Sequence, residues 1–157
     1  MRFGLFFPLH RMTTNGSILL VEDNEDDVFL MKRALKDAAI KNPLHIAEDG
    51  QEAVDYLSGA HRFSDRTQHP LPAVVFLDLK LPMKSGHEVL AWIRSQPHFE
   101  SLVVVVLTSS DEPTDISKSY KLGANSYLVK PPTTEQLVDL AKAFKWYWLE
   151  YNRFEPN

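Results

Sequence analysis

One stretch limits the fold more than any other: "LVVVVLT", Leu102–Thr108. A strand covered on one face alternates apolar and polar residues. This run is β-branched and apolar on both faces, as a central parallel strand between two helical layers should be. Parallel neighbours need long crossovers, usually helices, so strands and helices should alternate along the chain. They do. "ILLVED" (Ile18–Asp23) is a short apolar strand ending in acids, and Asn24 to Ala39 then has helical period. Asn24 can cap that helix, Glu25, Asp26 and Asp27 suit its N-terminal dipole, and Val28, Met31 and Leu35 share one face. "LHIAEDG" (Leu44–Gly50) alternates as a strand, and "QEAVDYL" continues as a helix. Ser58–Pro72, polar and broken by Gly and Pro, reads as a surface loop. Ala73–Leu77 is a third strand, with a helix after Gly86. A helix across Thr114–Leu122 stops at Gly123, "SYLVK" is the fifth strand, and Thr133 to about Tyr151 is the last helix. The expected fold class is α/β, a five-stranded parallel sheet with five helices and right-handed crossovers.

The 157 residues, 44% hydrophobic and 24% charged, suffice for one domain with a closed core. A net charge of −4 gives no general attraction to nucleic acid. The absence of cysteine excludes disulfides and thiolate metal sites and fits a reducing compartment. In the opening "MRFGLFFPLHRM" the apolar run is only Phe3 to Leu9, whereas a bilayer span needs ~20 residues. Residues 1–16 are therefore expected to be an extension, disordered or upstream of an original start at Met12. Residues 17–152 form the domain and 153–157 a tail. A cytoplasmic protein with no membrane and no nucleic-acid partner is expected.

In open parallel sheets the C-terminal strand ends share one rim, and ligands bind there. That rim collects Glu22, Asp23, Asp78, Thr108 and Lys130. Three carboxylates alone would repel and raise each other's pKa values, a conflict that a divalent cation removes. Mg²⁺ takes one or two carboxylates and keeps positions for water and phosphate. Lys130 adds a point charge suited to a phosphoryl oxygen, and Thr108 a hydroxyl donor. Asp78, nearest the centre of the sheet, is the candidate nucleophile, forming an aspartyl phosphate. The six histidines, His10, His45, His61, His69, His87 and His98, show no ligand spacing and read as structural or surface residues.

Taken in register, "LLVEDN", "FLDLKLP", "VLTSS" and "SYLVKPP" resemble the receiver domains of two-component response regulators. The resemblance spans roughly Ser17–Asn152 and implies a flavodoxin-like sheet of strand order 2-1-3-4-5. It implies that Asp78 is phosphorylated by a histidine kinase. Mg²⁺ would be held by Asp23, by Glu22 through water, by Asp78 and by the Lys80 carbonyl. Thr108 and Lys130 would bind the phosphoryl oxygens, and Thr108 with Tyr127 would form the switch. It also implies a cis peptide before Pro131. The Lys80 side chain, two after the acceptor, would shield the phosphoryl group from water, and Pro131–Pro132 departs from the family's usual proline followed by a larger apolar residue.

Only 27 residues follow Lys130, so the output is expected to be a protein contact and not a further domain. Leu137, Ala141, Phe144, Trp148 and Tyr151 make one apolar stripe at helical spacing, the expected core face. Trp146 falls opposite, and Val138 and Leu149 form a second apolar edge; these three are the candidate interface. The aromatic last helix, "VEDNEDD" and the long loop before the third strand are most similar to the stand-alone regulators paired with bacterial phytochrome kinases. That subgroup implies a homodimer through the C-terminal helix region. Three other readings stay open: a phosphorelay intermediate serving a histidine phosphotransfer protein, a small Mg²⁺-dependent phosphohydrolase, and a binding-only receiver. The phosphohydrolase would need an acid where Lys80 stands, and the expectation is that the chain is not an enzyme.

Overall fold

A computed structural model describes residues 16–156. The strands are β1 (Ile18–Val21), β2 (Leu44–Ala47), β3 (Val74–Leu77), β4 (Val103–Thr108) and β5 (Ser126–Val129). Five α-helices alternate with them: α1 (Glu25–Asp37), α2 (Gly50–Ser58), α3 (Gly86–Ser95), α4 (Pro113–Lys121) and α5 (Thr134–Phe144). The strands are all parallel in the order β2-β1-β3-β4-β5, as expected. Of the expected extension over residues 1–16, residues 1–15 fall outside the described residues, as does residue 157.

Period-two alternation sorts the strand side chains into two cores. Leu19, Val21, Val75, Leu77, Val104 and Val106 face α2 and α3, while Ile18, Leu20, Val74, Phe76, Val103 and Val105 face α1 and α5. Every residue of β1, β3 and β4 is buried, as two-sided coverage requires.

Each helix start is held by a side chain near its N-terminus in four of five cases. Asn24 Oδ1 accepts from the Asp27 N–H at 2.9 Å, Asp49 from Glu52, and Thr133 from Gln136. At α3, Ser85 and Glu88 form a reciprocal capping box. The Thr133 cap shows that the unusual Pro131–Pro132 pair does not disturb the last helix: the prolines precede the cap, and α5 starts at Thr134.

Two expectations need correction. Ser58–Pro72 is not merely a polar surface loop. It contains a 3₁₀ turn at His61–Phe63, and Phe63 is buried against Tyr56. Arg66 is the cause: its guanidinium donates to the Tyr56, Leu57 and His69 carbonyls, closing the C-terminus of α2 and folding the loop over it.

The last helix also departs from expectation. The α-helix ends at Phe144, and Lys145–Tyr151 continues as a π-helical turn, with the Asn152 N–H reaching the Tyr147 carbonyl five residues back. A wider turn advances the buried position from four residues to five. Leu149, expected at an interface, is buried to 2% exposure in the core with Phe144, and Tyr151, expected in the core stripe, is 71% exposed. Val138 packs half-buried on the same core, and Trp146 is exposed as expected.

Candidate functional site

Strand register builds the site. Val21 pairs with Leu77, so the next residues, Glu22 and Asp78, emerge side by side at the sheet's C-terminal rim. The Asp78 N–H donates to the Val21 carbonyl at 3.1 Å, locking that level. On the far side, Thr108 pairs with Val129, and the Lys130 N–H donates to the Thr108 carbonyl at 2.8 Å. Lys130 thus leaves β5 aimed back across the rim.

Its ammonium has three donors, and all three are used. Nζ donates to Glu22 Oε1 at 2.7 Å, to Asp27 Oδ2 at 2.8 Å and to Asp78 Oδ2 at 3.1 Å. The second Asp78 oxygen accepts from the Leu79 N–H at 2.7 Å, and Glu22 Oε2 accepts from the Asn24 N–H at 3.1 Å. Glu22 and Asp78 are both buried, and Asp23 is exposed. Burial raises the Glu22 pKa; the Lys130 hydrogen bond opposes that rise, and the Asp78 charge adds to it. Burial works against the Lys130 ammonium, but the hydrogen bonds to Asp27 and Glu22 and the charge of Asp78 overcome it and raise its pKa.

Glu22, Asp23 and Asp78 each bring a carboxylate oxygen within 4.8 Å of the other two. Three hard oxygen donors, one of them on the exposed Asp23, suit a divalent cation such as Mg²⁺. Lys130 cannot by itself balance four neighbouring carboxylates, counting Asp27. The donor set therefore fits the ion expected from the sequence.

The β3–α3 loop is pressed between two helix starts. A Cβ on Gly86 would lie 2.2 Å from the Asp78 carbonyl oxygen, and one on Gly50 would lie 2.0 Å from the Lys84 carbonyl oxygen. Hydrogen bonds follow the same contacts, from the Gly86 N–H to the Leu79 carbonyl and from the Gly50 N–H to the Pro82 carbonyl. The Lys80 side chain is exposed on this loop, and its backbone N–H lies 3.5 Å from Asp78 Oδ1. Met83, at its tip, holds a positive φ of 71°.

Thr108 is buried at the end of β4. Tyr127 is half-buried against the α2–α3 core, and its hydroxyl donates to the Ser110 carbonyl at 2.8 Å. Burial raises its pKa. The two switch candidates therefore sit on adjoining strands, with Tyr127 fastened to the loop after β4. The expected cis peptide before Pro131 is absent: among the described residues every peptide bond is trans. With the trans amide, Lys130 reaches three carboxylates.

Asp27 is the residue that sequence reasoning missed. It reads as one of three acids in an acidic first helical turn, and only the geometry separates it from Glu25 and Asp26. No helix among the described residues is long and apolar enough to cross a membrane.

Comparison with known proteins agrees with this geometry. The family model for the response regulator receiver domain matches residues 18–142. The probable methanogenesis regulatory protein FilR2 of Methanothrix harundinacea is 39% identical over 87% of this chain and 85% of its own. Response regulator Rcp1 of Synechocystis is 38% identical over 85% of this chain and 88% of its own. A crystal structure of the Mn²⁺-bound form of Rcp1 superposes with a TM-score of 0.81, covering 90% of this chain and 99% of that one. The phosphorylated cyanobacterial phytochrome response regulator RcpA superposes at 0.83 with 34% identity, again over 90% and 99%. With the family model over most of its length and relatives of this identity and coverage, this chain belongs to the response regulator receiver domain family.

Proposed function

We propose that this chain is a single-domain response regulator that accepts a phosphoryl group on Asp78 from a sensor histidine kinase. It passes the change on through protein contacts and does not turn over a small-molecule substrate. The observation that carries this reading is the Lys130 ammonium seated between buried Glu22 and Asp78 at the edge of a three-acid cluster.

In the transfer an Asp78 carboxylate oxygen attacks the phosphorus of a phosphohistidine. The P–N bond breaks with its electron pair left on the imidazole, which takes up a proton, and an acyl phosphate forms on Asp78. Lys130 offers an N–H to a phosphoryl oxygen, and Thr108 a hydroxyl. Glu22, Asp23, Asp78 and the Lys80 carbonyl would hold Mg²⁺, which supplies charge neutralisation when bound. The phosphoryl group adds a charge of about −1.5 to −2. Thr108 drawn toward it would free space beside Tyr127, whose bond to Ser110 ties that movement to the loop before α4.

The similarity to the phytochrome response regulator RcpA makes a phytochrome-type kinase the first partner to try, in a cytoplasmic setting. A second copy of the chain would dock on the exposed aromatics of the π turn, Trp146, Tyr147 and Tyr151. That surface replaces the expected Val138–Leu149 edge.

The test is intact mass after incubation with Mg²⁺ and acetyl phosphate, on wild type and Asp78→Asn. A metal-dependent gain of one phosphoryl group, absent in the variant, supports the reading. No gain on the folded wild type, with acetyl phosphate or with a phosphorylated kinase, overturns it in favour of a binding-only module.

A further inference from the structure

We infer that Asp27 is a positioning residue for Lys130, the carboxylate that keeps the ammonium over Asp78 while the other acids are engaged elsewhere. The inference rests on the phosphoacceptor reading above. Lys130 divides its three donors among Glu22, Asp27 and Asp78. Two of those partners belong to the three-acid cluster, and Asp27 does not. Glu22 and Asp78 are therefore the carboxylates that a divalent ion or a phosphoryl group would draw on, and Asp27 is the partner left over.

The anchor point is rigid. Asp27 lies in the first turn of α1, and its own N–H is fixed to Asn24 Oδ1 at 2.9 Å. Lysine is a compact charge on a flexible four-carbon stem, so with no remaining partner it would leave the rim for solvent. One N–H held by Asp27 leaves two that can turn toward Asp78 and its phosphoryl oxygens. The neighbouring Asp26 carries the same charge on the same turn but is exposed, and no bond joins it to Lys130.

That pair of neighbours supplies the experiment. Full-length wild type, Asp27→Asn, Asp27→Glu and Asp26→Asn are compared in two readouts. The first is the rate of phosphorylation by acetyl phosphate with Mg²⁺, by intact mass. The second is the Lys130 ammonium resonance of ¹⁵N-labelled protein with Mg²⁺ and no phosphodonor, which is visible only while the ammonium is held. For Asp27→Asn we expect a rate about tenfold lower and loss of the resonance, since a charge-assisted bond is removed. Asp27→Glu should recover most of both. Asp26→Asn should stay within about twofold of wild type, because long-range charge between exposed groups is screened. Equal behaviour of Asp27→Asn and Asp26→Asn, or an unchanged resonance in Asp27→Asn, would overturn the inference. If the wild type takes no phosphate at all, the phosphoacceptor reading fails, and the resonance alone then decides whether Asp27 holds Lys130.

Discussion

Replacing Leu149 by alanine should cost far more than replacing Tyr151, the reverse of what a continuous α-helix would give. Leu149 is 2% exposed and packs in the core that α1 and α5 share, whereas Tyr151 is 71% exposed. Burying alanine in place of leucine costs about 2–5 kcal/mol in well-packed cores. Here the loss is capped by the free energy that holds the terminal turn down, because the segment can undock while the sheet stays folded. We therefore expect about 2–3 kcal/mol, toward the lower end of that range. For a chain of this size that is a fall in Tm of about 5–10 °C. Tyr151→Ala should stay within about 0.5 kcal/mol, as exposed substitutions do. The assay is urea unfolding followed by far-UV circular dichroism, with native-state hydrogen exchange across residues 145–152 to separate local undocking from global unfolding. A cost for Tyr151→Ala equal to or above that for Leu149→Ala would refute the π register and restore the continuous helix.

Gly86→Ala should destabilise by about 1–3 kcal/mol, because a new Cβ would meet the Asp78 carbonyl oxygen at 2.2 Å and backbone must move; denaturant unfolding checks it. The same displacement should slow phosphorylation of Asp78, measured by intact mass. Arg66→Ala should lower the unfolding midpoint by releasing two carbonyls at the end of α2 and that of His69 in the loop, and protease nicking should concentrate in residues 58–72. Burial first, then the charge of His69 for His45 and of Lys118 for His87, lowers both histidine pKa values. Their neutral forms are favoured in the fold, so stability is fully present above the unfolded value of about 6.5 and falls as pH drops below it. His45→Gln and His87→Gln should each flatten that fall between pH 7 and 5, read by urea midpoints at each pH.

The sheet was legible because its signal is local. β-branched apolar runs such as Val103–Val106 can satisfy two-sided burial in few other ways, and five of them separated by helical segments leave one architecture. The rim was legible for the same reason: a polar residue that directly ends a buried strand must sit at its mouth, which placed Glu22, Asp78, Thr108 and Lys130 together. What escaped was tertiary. Nothing local tells Asp27 from Glu25 and Asp26, since the choice depends on where a lysine about a hundred residues later returns. Arg66 looked like loop polarity, yet its guanidinium serves carbonyls of a helix it follows in the chain. The π turn was hidden because Trp148 and Tyr151 extend a regular 3.6 pattern, and only packing decides that Leu149 turns inward. The isomer before Pro131 rests on a small energy difference that no sequence pattern resolves.

The clamped loop after β3 sets the direction in which a disturbance at Asp78 can travel. On one side the chain touches the Gly50 and Gly86 backbones with no room even for a methyl group, so this wall is stiff against compression. On the other, the segment after β4 exposes Ser109, Asp111 and Glu112 and is moored by side-chain bonds, Tyr127 to Ser110 and Ser110 to Asp115. A push delivered between a rigid wall and a sprung one moves the sprung one. On the proposed reading, a charge added at Asp78 would shift the segment toward α4 and β5 more than the α2–α3 wall, which would serve as the frame against which that motion is measured.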